Sequence, residues 1–132
     1  MELEEIKNRS VEIRKEYHKL EEKYHGSKWT IEEDALAFLT DAGLVGRLTM
    51  DNQKRWPDES DNSLEHKISE CIWWLMVLSD SMNVDIEKEL EKFLSNKEKM
   101  LREWQITIYK LDQNIKILWF SKSGVKSWFF VI

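Results

Sequence analysis

Two carboxylates fall where apolar residues dominate. Asp41 lies within residues 35–48 and Glu70 within residues 68–78, stretches in which Leu, Ile, Val, Phe and Trp recur at helical spacing. An ionised carboxylate in such company is paired with a cation, bound to a metal, or placed on the solvated edge of its helix. For one acid the solvated edge is the commoner outcome. Two acids on adjacent apolar helices, beside a long loop, point towards a site.

Other chemistry is thin. The chain has no Walker loop, no Gly-rich dinucleotide fingerprint and no G-x-S-x-G elbow. Cys71 sits in the most apolar segment and reads as a packed small side chain, not a nucleophile. His18, His25 and His66 are scattered, without the i, i+4 spacing of a zinc helix.

The elements that would position Asp41 and Glu70 are helices. Leu3, Ile6, Ser10, Ile13, Tyr17, Leu20 and Tyr24 step by three and four, a heptad seam on a helix over about residues 2–24 that Gly26 stops. Thr30 with Glu33 forms a capping-box pattern opening a second helix over 30–50, where Leu36, Leu39, Gly43 and Gly46 make one smooth face. Residues 51–62 hold the only proline, Pro57, and read as a loop of functional length. A third helix over 63–83 should be the central one, with Ile68, Ile72, Leu75, Ser79 and Met82 on one stripe and Trp73, Trp74, Val77 and Leu78 broadening it around much of the circumference. Asp85 caps a fourth over 85–104, with Ile86, Leu90, Phe93 and Leu94 inward.

Residues 106–132 differ in charge and period. They carry four Lys and one Asp, or +3, which leaves −8 of the net −5 on residues 1–105. The runs 106–111 and 115–120, with Val125 to Ile132 beyond, alternate enough to suggest a β-hairpin or meander, or an extension that orders on a partner. The fold expected is all-α over residues 1–105, a helical bundle with this basic, apolar extension.

Composition excludes several classes. In 132 residues there are 20 Lys+Arg against 25 Asp+Glu, and one cysteine. An intramolecular disulfide framework is impossible, and broad electrostatic binding to nucleic acid is disfavoured. No apolar run approaches the roughly 20 residues of a membrane span, and the charged N-terminus is no signal peptide, so a reducing cytoplasm is the expectation.

Three segments share a family pattern. Trp29-Thr30-Ile31-Glu32-Glu33-Asp34-Ala35-Leu36-Ala37-Phe38-Leu39, running on through Asp41-Ala42-Gly43-Leu44-Val45-Gly46-Arg47, resembles the first catalytic helix of the MazG-like all-α nucleoside triphosphate pyrophosphohydrolases. Glu70-Cys71-Ile72-Trp73-Trp74, ending in Asn83-Val84-Asp85-Ile86-Glu87, resembles the second. Lys92, Asn96 and Lys99 match a Lys-x-x-x-Asn-x-x-Lys/Arg spacing on the next. The resemblance spans roughly residues 25–104 and implies Mg²⁺-dependent (or Mn²⁺-dependent) cleavage of a nucleoside triphosphate to the monophosphate and pyrophosphate. It also implies a homodimer or a dimer of dimers, and the heptad seam of residues 3–24 independently allows association.

The family's Glu-Glu-x-x-Glu positions hold Thr40, Asp41 and Leu44 here, and its Glu-x-x-Asp positions hold Lys67 and Glu70. By resemblance Asp41 and Glu70 are the catalytic, metal-binding pair, while Lys92 and Asn96 support the phosphates. Mg²⁺ is often held by one or two carboxylates plus phosphate and water, so two acids can suffice. Lys67, three residues before Glu70, either pairs with that carboxylate where a cation would sit or contacts a phosphate itself. Trp29 and Trp56 can stack on a base or pack, and Arg47 can reach a phosphate or cap its helix. The expectation is a pyrophosphohydrolase with a reduced site. Its alternatives are a catalytically silent oligomeric binding or regulatory relative, and an interaction protein that uses its apolar tail.

Overall fold

The computed structural model describes residues 1–123, and side chains through residue 116. These residues form four helices and no strand: α1 (Leu3–His25), α2 (Ile31–Asn52), α3 (Leu64–Ser81) and α4 (Ile86–Ser123). The chain divides into two compact units, Met1–Glu89 and Leu90–Ile132. None of the described helices is long and apolar enough to cross a membrane.

Local chemistry sets the helix ends. Gly26 takes a left-handed conformation (φ +80°), and its N–H donates to the Glu22 carbonyl at 3.1 Å. At α2 the Glu33 N–H donates to Thr30 Oγ1 (3.3 Å), while Glu33 Oε2 accepts from the Thr30 N–H (2.7 Å), a complete capping box. Ser63 and Asp85 side chains accept from the N–H groups of His66 and Lys88 and start α3 and α4.

In the first unit α3 packs against both α1 and α2. It supplies Trp74, Met76, Val77 and Leu78 to the core, with Leu48 from α2, and Val77 is only 2% exposed. The central place expected for α3 holds, and only one side of its wide apolar face is turned inward. Of the expected apolar face, Trp74, Val77, Leu78 and Ser79 are buried and Trp73 is half-buried, whereas Ile68, Ile72, Leu75 and Met82 are exposed. An all-round apolar helix does not choose its face by periodicity. Polar bonds choose it instead: the Trp74 indole N–H donates to Asp41 and that of Trp73 to the Ser10 carbonyl.

On α1 and α2, too, apolar residues stay outside while charged ones are buried. Of the heptad seam, Ser10 is buried and Leu3 and Ile6 are half-buried, but Ile13, Tyr17, Leu20 and Tyr24 are exposed, and Arg14 and Glu21 beside them are buried. On α2, Leu36 and Leu39 are each 62% exposed, while Asp34, Asp41 and Leu48 face inward at seven-residue intervals. A guanidinium shared between two carboxylates draws these faces together, as described below.

Residues 106–123 correct the hairpin expectation, because α4 continues through both expected strands without a break. Leu101, Trp104, Ile108, Leu111 and Ile115 keep steps of three and four, and no Gly or Pro falls between residues 86 and 123. The short β-like alternation was embedded in a longer helical period. The expected strand at 125–132 lies outside the described residues.

Candidate functional site

Asp41 projects from α2 towards a face of α3 that carries Lys67, Glu70 and Trp74 at steps of three and four. Lys67 Nζ stands between the two acids, 2.9 Å from Asp41 Oδ1 and 2.7 Å from Glu70 Oε2. Trp74 Nε1 donates to the other Asp41 oxygen, Oδ2, at 2.9 Å. His66 Nε2 lies 3.8 Å from Glu70 Oε2, so a protonated His66 adds a second, weaker cation. The Lys67 and Asp41 side chains are only 13% and 12% exposed; Glu70, at 29%, is the open edge of the cluster.

The electrostatics follow from that geometry. The hydrogen bond to Glu70, then that to Asp41, holds the Lys67 ammonium above its ordinary pKa and secures its charge. One lysine between two ionised carboxylates leaves a cluster charge of −1. Burial, then the nearby carboxylates, pushes the Cys71 thiol up, which keeps it protonated and un-nucleophilic.

A divalent cation fits this arrangement poorly. Both Asp41 oxygens already accept hydrogen bonds, and Lys67 occupies the space between the acids. Among the described residues no three or more His, Cys, Asp or Glu side chains are grouped to hold a metal. Asp41 and Glu70 are therefore brought together as the sequence led one to expect, but around an ammonium.

A second charged cluster lies on the other side of Trp74 and was not anticipated. Arg14 of α1 grips Asp34 of α2 through Nη2 (2.6 Å to Oδ1) and Nε (3.2 Å to Oδ2), and its Nη1 bonds Glu21 at 2.6 Å. Glu21 Oε2 also accepts the Trp29 main-chain N–H at 2.9 Å. Burial opposes the charge on Arg14 and on Glu21, but their mutual hydrogen bond, with those from Asp34 and Trp29, outweighs it. Arg14 is held above its ordinary value and Glu21 below. The guanidinium lies 5.8 Å from the Trp29 ring and 5.7 Å from the Trp74 ring. The trace in the sequence was the seven-residue spacing of Arg14 with Glu21 and of Asp34 with Asp41, one face on each helix.

The remaining candidates are placed as follows. Trp29 is half-exposed at the start of α2, against Arg14. Arg47 clamps the loop, donating to the carbonyls of Trp56 and Pro57 and pairing with Asp58 at 3.5 Å. Trp56 is exposed on that loop. Lys92, Asn96 and Lys99 lie exposed on α4 in the second unit.

Comparison of the chain with protein-family models, with curated proteins and with solved structures gives no match.

Proposed function

We propose that this chain is a MazG-like helical protein in which Lys67 takes the position of the catalytic cation, and that it serves as an oligomeric binding or regulatory protein, not as a metal-dependent hydrolase. One observation carries this reading: Lys67 Nζ bridges Asp41 and Glu70 at 2.9 and 2.7 Å. A resident ammonium, held charged by the very acids a metal would need, makes those acids a structural tie between α2 and α3. The exposed apolar faces of α1, α2 and α3 support a role in association, since monomers seldom leave so much apolar surface in water.

A nucleoside triphosphate pyrophosphohydrolase using Asp41 and Glu70 is the second reading, favoured by the open edge at Glu70. It requires Lys67 to leave the gap, with Trp29 as a further substrate contact.

Pyrophosphate release from a panel of canonical and damaged nucleoside and deoxynucleoside triphosphates, with Mg²⁺ and then Mn²⁺, separates the two. The expected result is no release from folded protein. Metal-dependent release that disappears in Asp41→Asn overturns the proposal. Lys67→Glu adds a second discriminator: gained metal affinity marks a site closed by Lys67, whereas lost triphosphate binding marks Lys67 as a phosphate contact.

A further inference from the structure

The face of α4 that runs through Leu90, Leu94, Lys97, Leu101, Trp104, Ile108, Leu111 and Ile115 steps alternately by four and three without a slip. Every one of these residues is exposed. Seven of the eight are apolar, over 26 residues or about 38 Å of helix. A strict 3.5-residue period of this length is the pattern of a helix that supercoils with another helix, not of one that rests a broad face on a globular core. An isolated helix of this kind has little reason to persist in water, so the seam needs a cover.

We propose that α4 pairs with α4 of a second copy of this chain, as an antiparallel coiled coil centred between Leu101 and Trp104. Length argues for the second copy. α4 has 38 residues, about 57 Å, against 23, 22 and 18 for α1, α2 and α3, about 34, 33 and 27 Å. Another α4 is the one helix among the described residues that matches the seam from end to end.

Lys97 sets the direction. It occupies the one seam position that is not apolar, with its ammonium 5.7 Å from the Phe93 ring. A parallel, in-register pair would bring the two Lys97 side chains into the same core layer, two like charges taken out of water together. Reversing one helix about the point between Leu101 and Trp104 sets Leu101 against Trp104, Leu94 against Leu111, and Leu90 against Ile115. Each Lys97 then packs its stem against Ile108 of the second copy, and the two ammoniums stand eleven residues apart along the axis, about 16 Å, beyond the screening length. The like-charge flank this leaves, Glu91 beside Asp112, is solvated, and Asp112 already pairs with its own Lys116 at 2.8 Å. The inference does not rest on the function proposed above.

The test uses the full chain. Sedimentation should show a dimer at micromolar concentration, and Leu101→Glu, which puts two carboxylates into the central layers, should weaken it at least ~100-fold. A wild-type monomer, or a Leu101→Glu dimer of unchanged affinity, overturns the proposal. Direction is read in a Cys71→Ser background by oxidising Leu90→Cys chains mixed with Ile115→Cys chains. Cross-linking of the mixture, with neither chain linking to itself, is expected. Self-linking of Leu90→Cys, or no cross-link in the mixture, overturns the antiparallel pair.

Discussion

Replacing Lys67 by Met keeps the aliphatic stem of the side chain and removes only its charge. Asp41 Oδ1 and Glu70 Oε2 then lose the cation that stands 2.9 and 2.7 Å from them. Glu70 can turn its carboxylate to water through the open edge of the cluster. Asp41 cannot, because it is buried and tied to Trp74 at 2.9 Å. Stripping one partner from a fully buried pair costs about 3–5 kcal/mol. Here one of the two stranded acids can relax and the other keeps a neutral donor, so a loss of about 1–3 kcal/mol is the expectation. With a urea dependence of roughly 1–3 kcal/mol per molar, the midpoint should fall by about 1 M.

Magnesium adds a control that a merely structural lysine and a cation-replacing lysine answer differently. If the vacated gap holds Mg²⁺ with a dissociation constant of about 1 mM, then 10 mM Mg²⁺ stabilises Lys67→Met by RT ln 11, about 1.4 kcal/mol. The wild-type midpoint should not move, because there the ion must first expel an ammonium. Urea melts of both proteins, with and without 10 mM MgCl₂, give all four numbers. Equal Mg²⁺ stabilisation of the two proteins, or a Lys67→Met midpoint matching wild type without metal, refutes the reasoning.

Alkali reports the same lysine. Its folded pKa is raised above 10.5, so the stability it supplies is complete below pH 10.5 and is lost as pH climbs through the raised value. Wild type should therefore lose its advantage over Lys67→Met in melts above pH 10.5. Arg14→Met strands two buried acids, Asp34 and Glu21, and should cost about 3–5 kcal/mol by denaturant melting. Glu21, held below 4.5, contributes stability above pH 4.5 that is lost as pH falls through its lowered value, so the gap between wild type and Arg14→Met should shrink under acid. Arg47→Ala releases the loop carbonyls of Trp56 and Pro57 and should speed hydrogen exchange over residues 53–63, with helical circular dichroism unchanged. Thr30→Ala removes the capping hydroxyl of α2 and should lower stability by about 1 kcal/mol in the same melts.

The legible parts of the fold were those decided locally. Gly26, the Thr30–Glu33 box and Asp85 act within a few residues of themselves, and the helix limits they mark are the ones observed to within a residue or two. The direction each helix faces was legible only in part, as at Trp74, Val77 and Leu78 of α3. That choice is made by contacts between residues far apart in the chain, Arg14 with Asp34 and Asp41 with Trp74, and single-helix periodicity does not contain them. Residues 106–111 misled for a related reason: Ile-Thr-Ile-Tyr alternates over four residues, while the helical step from Leu101 to Ile115 only emerges over fifteen.

Trp74 joins the two charged clusters and explains why a core this small can specify a packing. Among the described residues five apolar side chains are buried, too few to distinguish one rotation of three amphipathic helices from another. Trp74 donates its indole N–H to Asp41 on one side and lies 5.7 Å from the Arg14 guanidinium on the other. Arg14 reaches α2 through Asp34, and Lys67 ties α2 to α3 through Asp41. A rotation that turned Leu36 and Leu39 inward would carry Asp34 and Asp41 out and strand Arg14 and Lys67, charges whose desolvation only those acids offset. Burying charge therefore fixes which apolar faces stay outside. The exposed leucines and isoleucines of α2 and α3 are a consequence of that polar lock, so loosening it, as in Lys67→Met or Arg14→Met, should disturb association as well as stability.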